Sequence, residues 1–462
     1  MDYLLVTTIL AIGCCSVVYA LIRYYSKKTK LPEKLSEIWW TPGTEHSIDD
    51  DIRPFEIVFS EELVKNLKYR LKHIRFLTPP LKDVAWNYGT NTDALRKLLD
   101  YWADDYNFQE RQKFMNQYPH FKTNIQGLDI HFISVKPNNA EKKQVLPLLL
   151  LHGWPGSIIE FYKLIPLLTT PRPEHDFVFE VIAPSLPGFG FSSAATIPGL
   201  SFIQMSMVLK NLMLRLGYDK FYVQGGDWGA VIVNAMSTLF PQHVLGMHSN
   251  MCLVTRIKSL IKQALYNRLF SFLPSIKKSK KSRMFEGKSF LLETGYFHIQ
   301  ATKPDTVGVG LNDSPAGLAA YILEKFSTGT NSSYKFREDG GLLEKYTYDE
   351  LIDNLMIYWT SNSITTAMRI YAEMFTKENY VLGNLMNKTL VKVPTACAQF
   401  PYEIAEEPRS KLETRYVNLL RVTKMPRGGH FAAFEEPELL ANDIWASIDE
   451  MEVWHKKHDK DL

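Results

Sequence analysis

The 462-residue sequence predicts an α/β fold: a mainly parallel sheet with a helical lid inserted into it, a helical extension before it and an N-terminal transmembrane anchor. From Gly127 onward, short continuous apolar runs alternate with helix-like stretches, the pattern of parallel strands covered on both faces. That pattern stops at about Met251 and resumes after about Glu378, which marks the insertion. At the other end, Tyr3 to Ile22 carry no charged residue.

The anchor occupies residues 1–25. About 20 residues at 1.5 Å rise span roughly 30 Å, the thickness of a bilayer core. Asp2 precedes the run, and Arg23, Lys27, Lys28 and Lys30 follow it. Positive flanks stay cytosolic, so the body is expected on the cytosolic side of the endoplasmic reticulum (microsomal) membrane as a single-pass protein. A cleaved signal peptide would instead carry its basic residues first, a shorter apolar run and a small-residue cleavage site. Residues 26–48, rich in Pro and Lys and ending near Trp39 and Trp40, read as a linker.

Residues 49–125 form the helical extension. Ser60 opens a pattern with Leu63, Leu67 and Leu71 on one face, and a second helix is expected from Thr92 to Trp102. The first part of the α/β core, residues 126–250, has strand-like runs at Leu128 to Val135, Val145 to Leu151, Phe177 to Ala183 and Phe221 to Val223, with a helix from Phe202 to Leu216. In the lid, residues 251–378, Ile257, Leu260, Ile261, Ala264, Leu265 and Leu269 share a helical face. The basic run from Lys277 to Arg283 reads as a solvated loop or as a second contact with an anionic membrane surface. Strand-like runs return in residues 379–462, at Leu390 to Ala396 and Val417 to Thr423.

Composition narrows the function. Fifty-three Lys and Arg against 50 Asp and Glu leave +3, without the strong positive balance expected of a nucleic-acid binder. The chain is 45% hydrophobic and 22% charged, so it can bury a large core. Cys14, Cys15, Cys252 and Cys397 are too few for a disulfide scaffold, and no Cys/His cluster has zinc spacing. Asn312, Asn331 and Asn387 open N-x-S/T tripeptides, which a cytosolic body would leave bare.

The chemistry is concentrated in three glycine-rich turns. The apolar strand ending at Gly225 runs through Gly226, Asp227, Trp228 and Gly229 into an apolar helix. This is the context of a nucleophile elbow, the sharp strand-to-helix turn of α/β-hydrolases, with Asp in place of Ser. After the earlier strand, His152, Gly153, Trp154, Pro155 and Gly156 occupy the loop that gives one oxyanion-hole amide, from Trp154; the residue after the nucleophile, Trp228, gives the other. His430, behind Gly428 and Gly429, stands where the chain order nucleophile, acid, histidine puts the base. The acid should follow the penultimate strand. Glu403 is favoured there, with Glu406 and Glu407 as neighbours that spacing does not separate.

These motifs, HGWPGS (152–157), GGDWG (225–229) and GGHFAAFEEP (428–437), occur with WWTPG (39–43), RPFEI (53–57) and YPHFKT (118–123). The insertion adds ETGYFHIQATKPD (293–305) and SITTAMRIYAE (363–373). Over nearly its whole length the chain resembles the microsomal-type epoxide hydrolases, a family that includes the insect juvenile hormone epoxide hydrolases. SITTAMRIYAE is similar to the insect subgroup and FPYE (400–403) to the mammalian type. The resemblance implies Asp227 as nucleophile, His430 as base, Glu403 as its orienting acid, and Tyr296 and Tyr371 as the acids that touch the epoxide oxygen.

Elementary chemistry agrees with that implication. A carboxylate has no hydroxyl proton to give up, so it cannot follow the serine route, but it can attack an electrophilic sp³ carbon and form an alkyl ester. A strained epoxide is such an electrophile when phenol O–H groups help its oxygen leave. Water activated by histidine then hydrolyses the ester to a vicinal diol, with no metal or organic cofactor required. The expected partners are a small lipophilic epoxide, water and, through the anchor, membrane lipid. Three alternatives stand beside this reading. A juvenile-hormone-specific hydrolase is one. A dehalogenase, which also uses an elbow Asp but binds its leaving halide with indole N–H groups, is another. The third is an inactive lipid- or hormone-binding protein on the same fold.

Overall fold

The computed structural model describes residues 31–32, 35–42, 50–138, 143–254 and 291–458. The anchor, the apolar helical face from Ile257 to Leu269 and the basic run 277–283 lie outside the described residues. Among the described residues no helix is long and apolar enough to cross a membrane.

The described strands form one nine-stranded sheet. They are β1 (Arg53–Phe55), β2 (His120–Ile125), β3 (Leu128–Val135), β4 (Gln144–Leu151), β5 (Phe177–Pro184), β6 (Phe221–Gly225), β7 (Val244–Ser249), β8 (Thr395–Gln399) and β9 (Leu419–Lys424). Their spatial order is β1-β2-β3-β5-β4-β6-β7-β8-β9. The run from β5 to β9 is parallel, and β1, β2 and β3 pair antiparallel at one edge. Every residue of β5 and β6 is buried, as expected for strands covered on both faces.

The extension contributes α1 (Glu61–Lys72), α2 (Thr92–Asp104) and α3 (Phe108–Met115). Ser60 and Asn91 cap the first two by accepting from Leu63 N and from Asp93 and Ala94 N. The extension is not purely helical. Phe121, Thr123 and Ile125 alternate with polar neighbours in β2, which closes a tight turn at Gln126 and Gly127 against β3. The linker's end is also fixed: Trp40 is buried, donates its backbone N–H to Gln126 O and accepts from Thr196 N.

In the core, α4 (Phe202–Arg215) and α5 (Asp227–Leu239) pack on the sheet. The lid supplies α6 (Gly295–Thr302), α7 (Pro304–Asp313), α8 (Pro315–Thr330), α9 (Tyr348–Ser361), α10 (Ile364–Glu373) and α11 (Lys377–Lys388), so the helical segment runs about ten residues past its expected end. The expected strand at Leu390 to Ala396 begins later, at Thr395. Pro394 has no N–H to give, and before it only Val391 bridges Tyr416. Strand β7 was not anticipated: Gly246 and His248 interrupt its apolar run, and a side chain at Gly246 would place its Cβ 2.4 Å from Met451 Sδ. The closing helix α12 (Pro437–His458) covers this side of the sheet through contacts with β7, β8 and β9. Cys252, just past β7, and Cys397 in β8 are placed for a disulfide, with Cα atoms 6.0 Å apart.

Candidate active site

The elbow forms because β6 delivers the chain to Gly226 and α5 begins at once with Asp227. Asp227 holds φ at +47°, a left-handed conformation that a non-glycine residue adopts only under strong surrounding constraint. The constraint is close packing. A Cβ on Gly229 would stand 2.0 Å from Leu151 O, so only glycine lets α5 approach the end of β4. A Cβ on Gly153 would stand 2.1 Å from Asp227 Oδ1, so the loop after β4 can touch the carboxylate.

That touch is a hydrogen bond. Trp154 N–H donates to Asp227 Oδ1 at 2.8 Å, one of the two expected oxyanion amides; the other residue, Trp228, follows Asp227 in the first turn of α5. The second carboxylate oxygen, Oδ2, lies 3.2 Å from His430 Nε2. His430 Nδ1 lies 2.7 Å from Glu403 Oε1, which also accepts from Ile404 N at 2.6 Å. Glu403 is buried at 1% exposure, whereas Glu406 pairs with Lys424 and Glu407 with Lys411. Geometry therefore separates the three glutamates that spacing left together. Burial opposes charge on His430, but Glu403 and Asp227 on either side outweigh it and raise its pKa well above 6.5.

On the other flank of Asp227 is an apolar cavity of about 340 Å³. Phe202, Trp228, Met251, Leu253 and Phe297 give it its character, and Tyr296 from α6 and Tyr371 from α10 face into it with Asp227. A hydrogen bond joins the two phenols, and burial, the charge of Asp227 and neighbouring groups raise both above the usual tyrosine range. They stay protonated and can donate. Trp154 stacks on Tyr296 with ring centroids 5.4 Å apart, and Trp228 meets Tyr371 edge-on at 4.8 Å. All five side chains singled out from the sequence thus converge on one point between core and lid.

The architecture and this convergence agree with the comparisons to known proteins. A family profile described as epoxide hydrolase N terminus matches residues 52–161, and one described as alpha/beta hydrolase fold matches residues 147–269. The chain is 50% identical to juvenile hormone epoxide hydrolase 2 of Ctenocephalides felis, over 97% of this chain and 98% of that protein. The chain belongs to the epoxide hydrolase family. It is also 46% identical to epoxide hydrolase 1 of Oryctolagus cuniculus, over 90% and 93% of the two chains. The crystal structure of juvenile hormone epoxide hydrolase from Bombyx mori matches this epoxide hydrolase with a TM-score of 0.87 at 48% identity, covering 91% of this chain and 100% of that one.

The structure of this epoxide hydrolase adds residues that no motif had marked. Asn354 in α9 accepts from Ser157 Oγ at 2.7 Å and donates to Pro155 O at 2.8 Å, and Tyr358 O–H donates to Gly156 O at 2.8 Å. The lid thus clamps the oxyanion loop. From α8, Gly329 O accepts from His430 N at 3.0 Å. His152, which the HGWPGS motif had already marked, accepts from Leu186 N and bonds Gly153 O; burial lowers its pKa to about 4, so it is a neutral strut of the loop. Glu160 and Gln224 also line the site, on the His430 side of Asp227.

Proposed function

We propose that this enzyme converts lipophilic epoxides to vicinal diols through an alkyl ester on Asp227. The observation that carries the reading is the placement of one carboxylate between two different environments: a protonated-phenol pair in an apolar cavity on one side and the His430–Glu403 pair on the other. In the first step Asp227 attacks a ring carbon, the C–O bond breaks, and Tyr296 and Tyr371 donate to the opening oxygen.

Alkylation changes the electrostatics of the next step. The charge and hydrogen bond of Asp227 help keep His430 protonated in the resting enzyme. Both are lost when Asp227 becomes a neutral ester, so His430 gives up its proton, which restores the phenol that protonated the opening oxygen, and becomes a base. It then takes a proton from water, which attacks the ester carbonyl carbon. The Trp154 and Trp228 amides meet the oxyanion. Collapse breaks the bond from the carbonyl carbon to the ester oxygen, which came from Asp227 and leaves on the diol with the remaining water hydrogen; the water oxygen stays in the restored Asp227 carboxylate, and His430 is again a cation.

The apolar cavity suits hydrocarbon-rich epoxides. Within that class we favour a terpenoid of the juvenile hormone type, because the flea and silkworm relatives are named for that hormone and share about half their residues with this chain. The reading extends to a microsomal location, with residues 1–25 in the bilayer and the body on the cytosolic side.

A His430→Gln variant tests the mechanism. Incubated with one styrene-like and one terpenoid epoxide, it should gain one epoxide mass on the peptide containing Asp227, because the ester forms but is not hydrolysed. Absence of both adduct and diol with either epoxide would remove the reading in favour of a binding protein. Faster wild-type turnover of the styrene-like epoxide would remove the hormone preference alone.

A further inference from the structure

Among the described residues, Asp227 alone lines both the apolar cavity and a second, much smaller one behind it. The small cavity offers about 20 Å³ to the centre of a water molecule, which is room for one water. Its wall is polar. His430, Glu160, Gln224 and Asn250 face it, together with the glycines of the elbow and the oxyanion loop. From these observations we propose that Glu160 and Gln224 hold the hydrolytic water between His430 and the carbonyl carbon of the Asp227 ester. The inference rests on the Asp227–His430 reading above.

Each holding group has its own structural warrant. Gln224 is buried in β6 and donates Nε2–H to Asn250 Oδ1 at 2.9 Å, while its Oε1 has no hydrogen-bond partner among the described residues. An acceptor buried in that state calls for a donor, and water in the adjoining cavity supplies one. Glu160 sits on the short 3₁₀ turn Ile158–Phe161, directly after the oxyanion loop. Its carboxyl fills the space above Gly156, where a Cβ would stand 1.5 Å from Oε1, and the Ser157 amide donates to it. Gly156 is therefore the residue that lets this carboxyl reach inward.

Burial, reinforced by the charge of Asp227 and opposed by His430, pushes the Glu160 carboxyl up to about 8. At neutral pH it is an uncharged acid whose carbonyl oxygen can accept from water without repelling the Asp227 carboxylate. One water hydrogen then points to His430 Nε2 and the other to Glu160 or Gln224. The oxygen lone pair is left for the ester carbon. A new C–O bond forms as His430 takes the first hydrogen, and the second stays on the oxygen until collapse releases the diol.

Rapid-quench single turnovers, read by intact mass, separate ester formation from ester decay. Glu160→Leu should form ester within about threefold of the wild-type rate and lose it at least about tenfold more slowly. Glu160→Gln, which keeps the shape and a neutral acceptor, should restore decay to within about threefold. Equal slowing of both steps by Leu, or decay as slow in Gln as in Leu, would overturn the assignment. Should Glu160→Leu not fold, Gln224→Met is expected to give the same split, and wild-type decay in that variant would overturn it. His430→Gln, run alongside, distinguishes the premises: no ester there sinks the Asp227 mechanism itself, whereas ester there with wild-type decay in Glu160→Leu sinks the water site alone.

Discussion

Asp227 divides the chemistry in two because its neighbours differ oxygen by oxygen: Oδ1 belongs to the Trp154 amide and Oδ2 to His430. The phenols act on the other flank, so they should influence only the first step. Tyr296→Phe and Tyr371→Phe are each expected to slow ester formation roughly 10²-fold while leaving ester decay at the wild-type rate. Rapid-quench kinetics with a single epoxide would check this, and wild-type ester formation in either variant would remove that phenol from ring opening. The residue scale also marks what sequence alone can reveal. Asp227, His430 and Glu403 stand in a fixed chain order on glycine turns and after strands, so local pattern exposes them. Tyr296 and Tyr371 lie on separate lid helices, and only the family resemblance singles them out among 23 tyrosines. Glu160 and Gln224 escape both routes, because a polar residue inside a buried strand or turn has no periodic signature until the fold brings it to a cavity.

The same limits appear between elements. The strands β4, β5 and β6 were legible as short, almost wholly apolar runs and β3 by its bulky Leu, Ile, Phe and Val residues, but β7 was hidden by Gly246 and β2 by its polar residues. The docking of lid on extension was not legible at all. Its most buried ion pair is Arg111 in α3 reaching Asp353 in α9, a carboxyl with no exposure that also accepts from Tyr106 O–H at 2.8 Å. Removing the cation leaves a buried charge without its counter-ion, at a cost of about 3–5 kcal/mol. Arg111→Leu should therefore lower the melting temperature by roughly 3–5 °C, at about 1 °C per kcal/mol for a chain of 462 residues. The pH dependence has a definite sign. Burial raises Asp353 from 3.8 to about 6 while Arg111 and Tyr106 pull it down, so the native state keeps a proton that the unfolded state loses. Its contribution to stability falls as pH rises from about 4 to 6, and losing Arg111 extends that fall upward. The melting deficit of Arg111→Leu should thus shrink at pH 5 and be largest above neutrality; a deficit independent of pH would show that the ion pair is not its source.

For the whole molecule, the proposed anchor and the apolar cavity suit the same task, since lipophilic epoxides partition into the bilayer beside which the body would be held. Which side of that bilayer can be read from the body's own chemistry. Asn312, Asn331 and Asn387 are glycan acceptors only in the lumen. Cys252 and Cys397 are close enough to bond and are both buried, at 6% and 0% exposure, so their state in cells follows the compartment in which the chain folded. The four cations after the apolar run argue for the cytosol, where glutathione keeps thiols reduced. The expected result in native membranes, alkylated at the moment of lysis, is three bare asparagines and two alkylated cysteines, with the Cys252–Cys397 bond closing only on later oxidation. Glycosidase-shift gels and a non-reducing peptide map read both. A glycan at any of the three positions together with a cross-linked Cys252–Cys397 peptide would put the body in the lumen, and the flanking cations would then not decide the orientation.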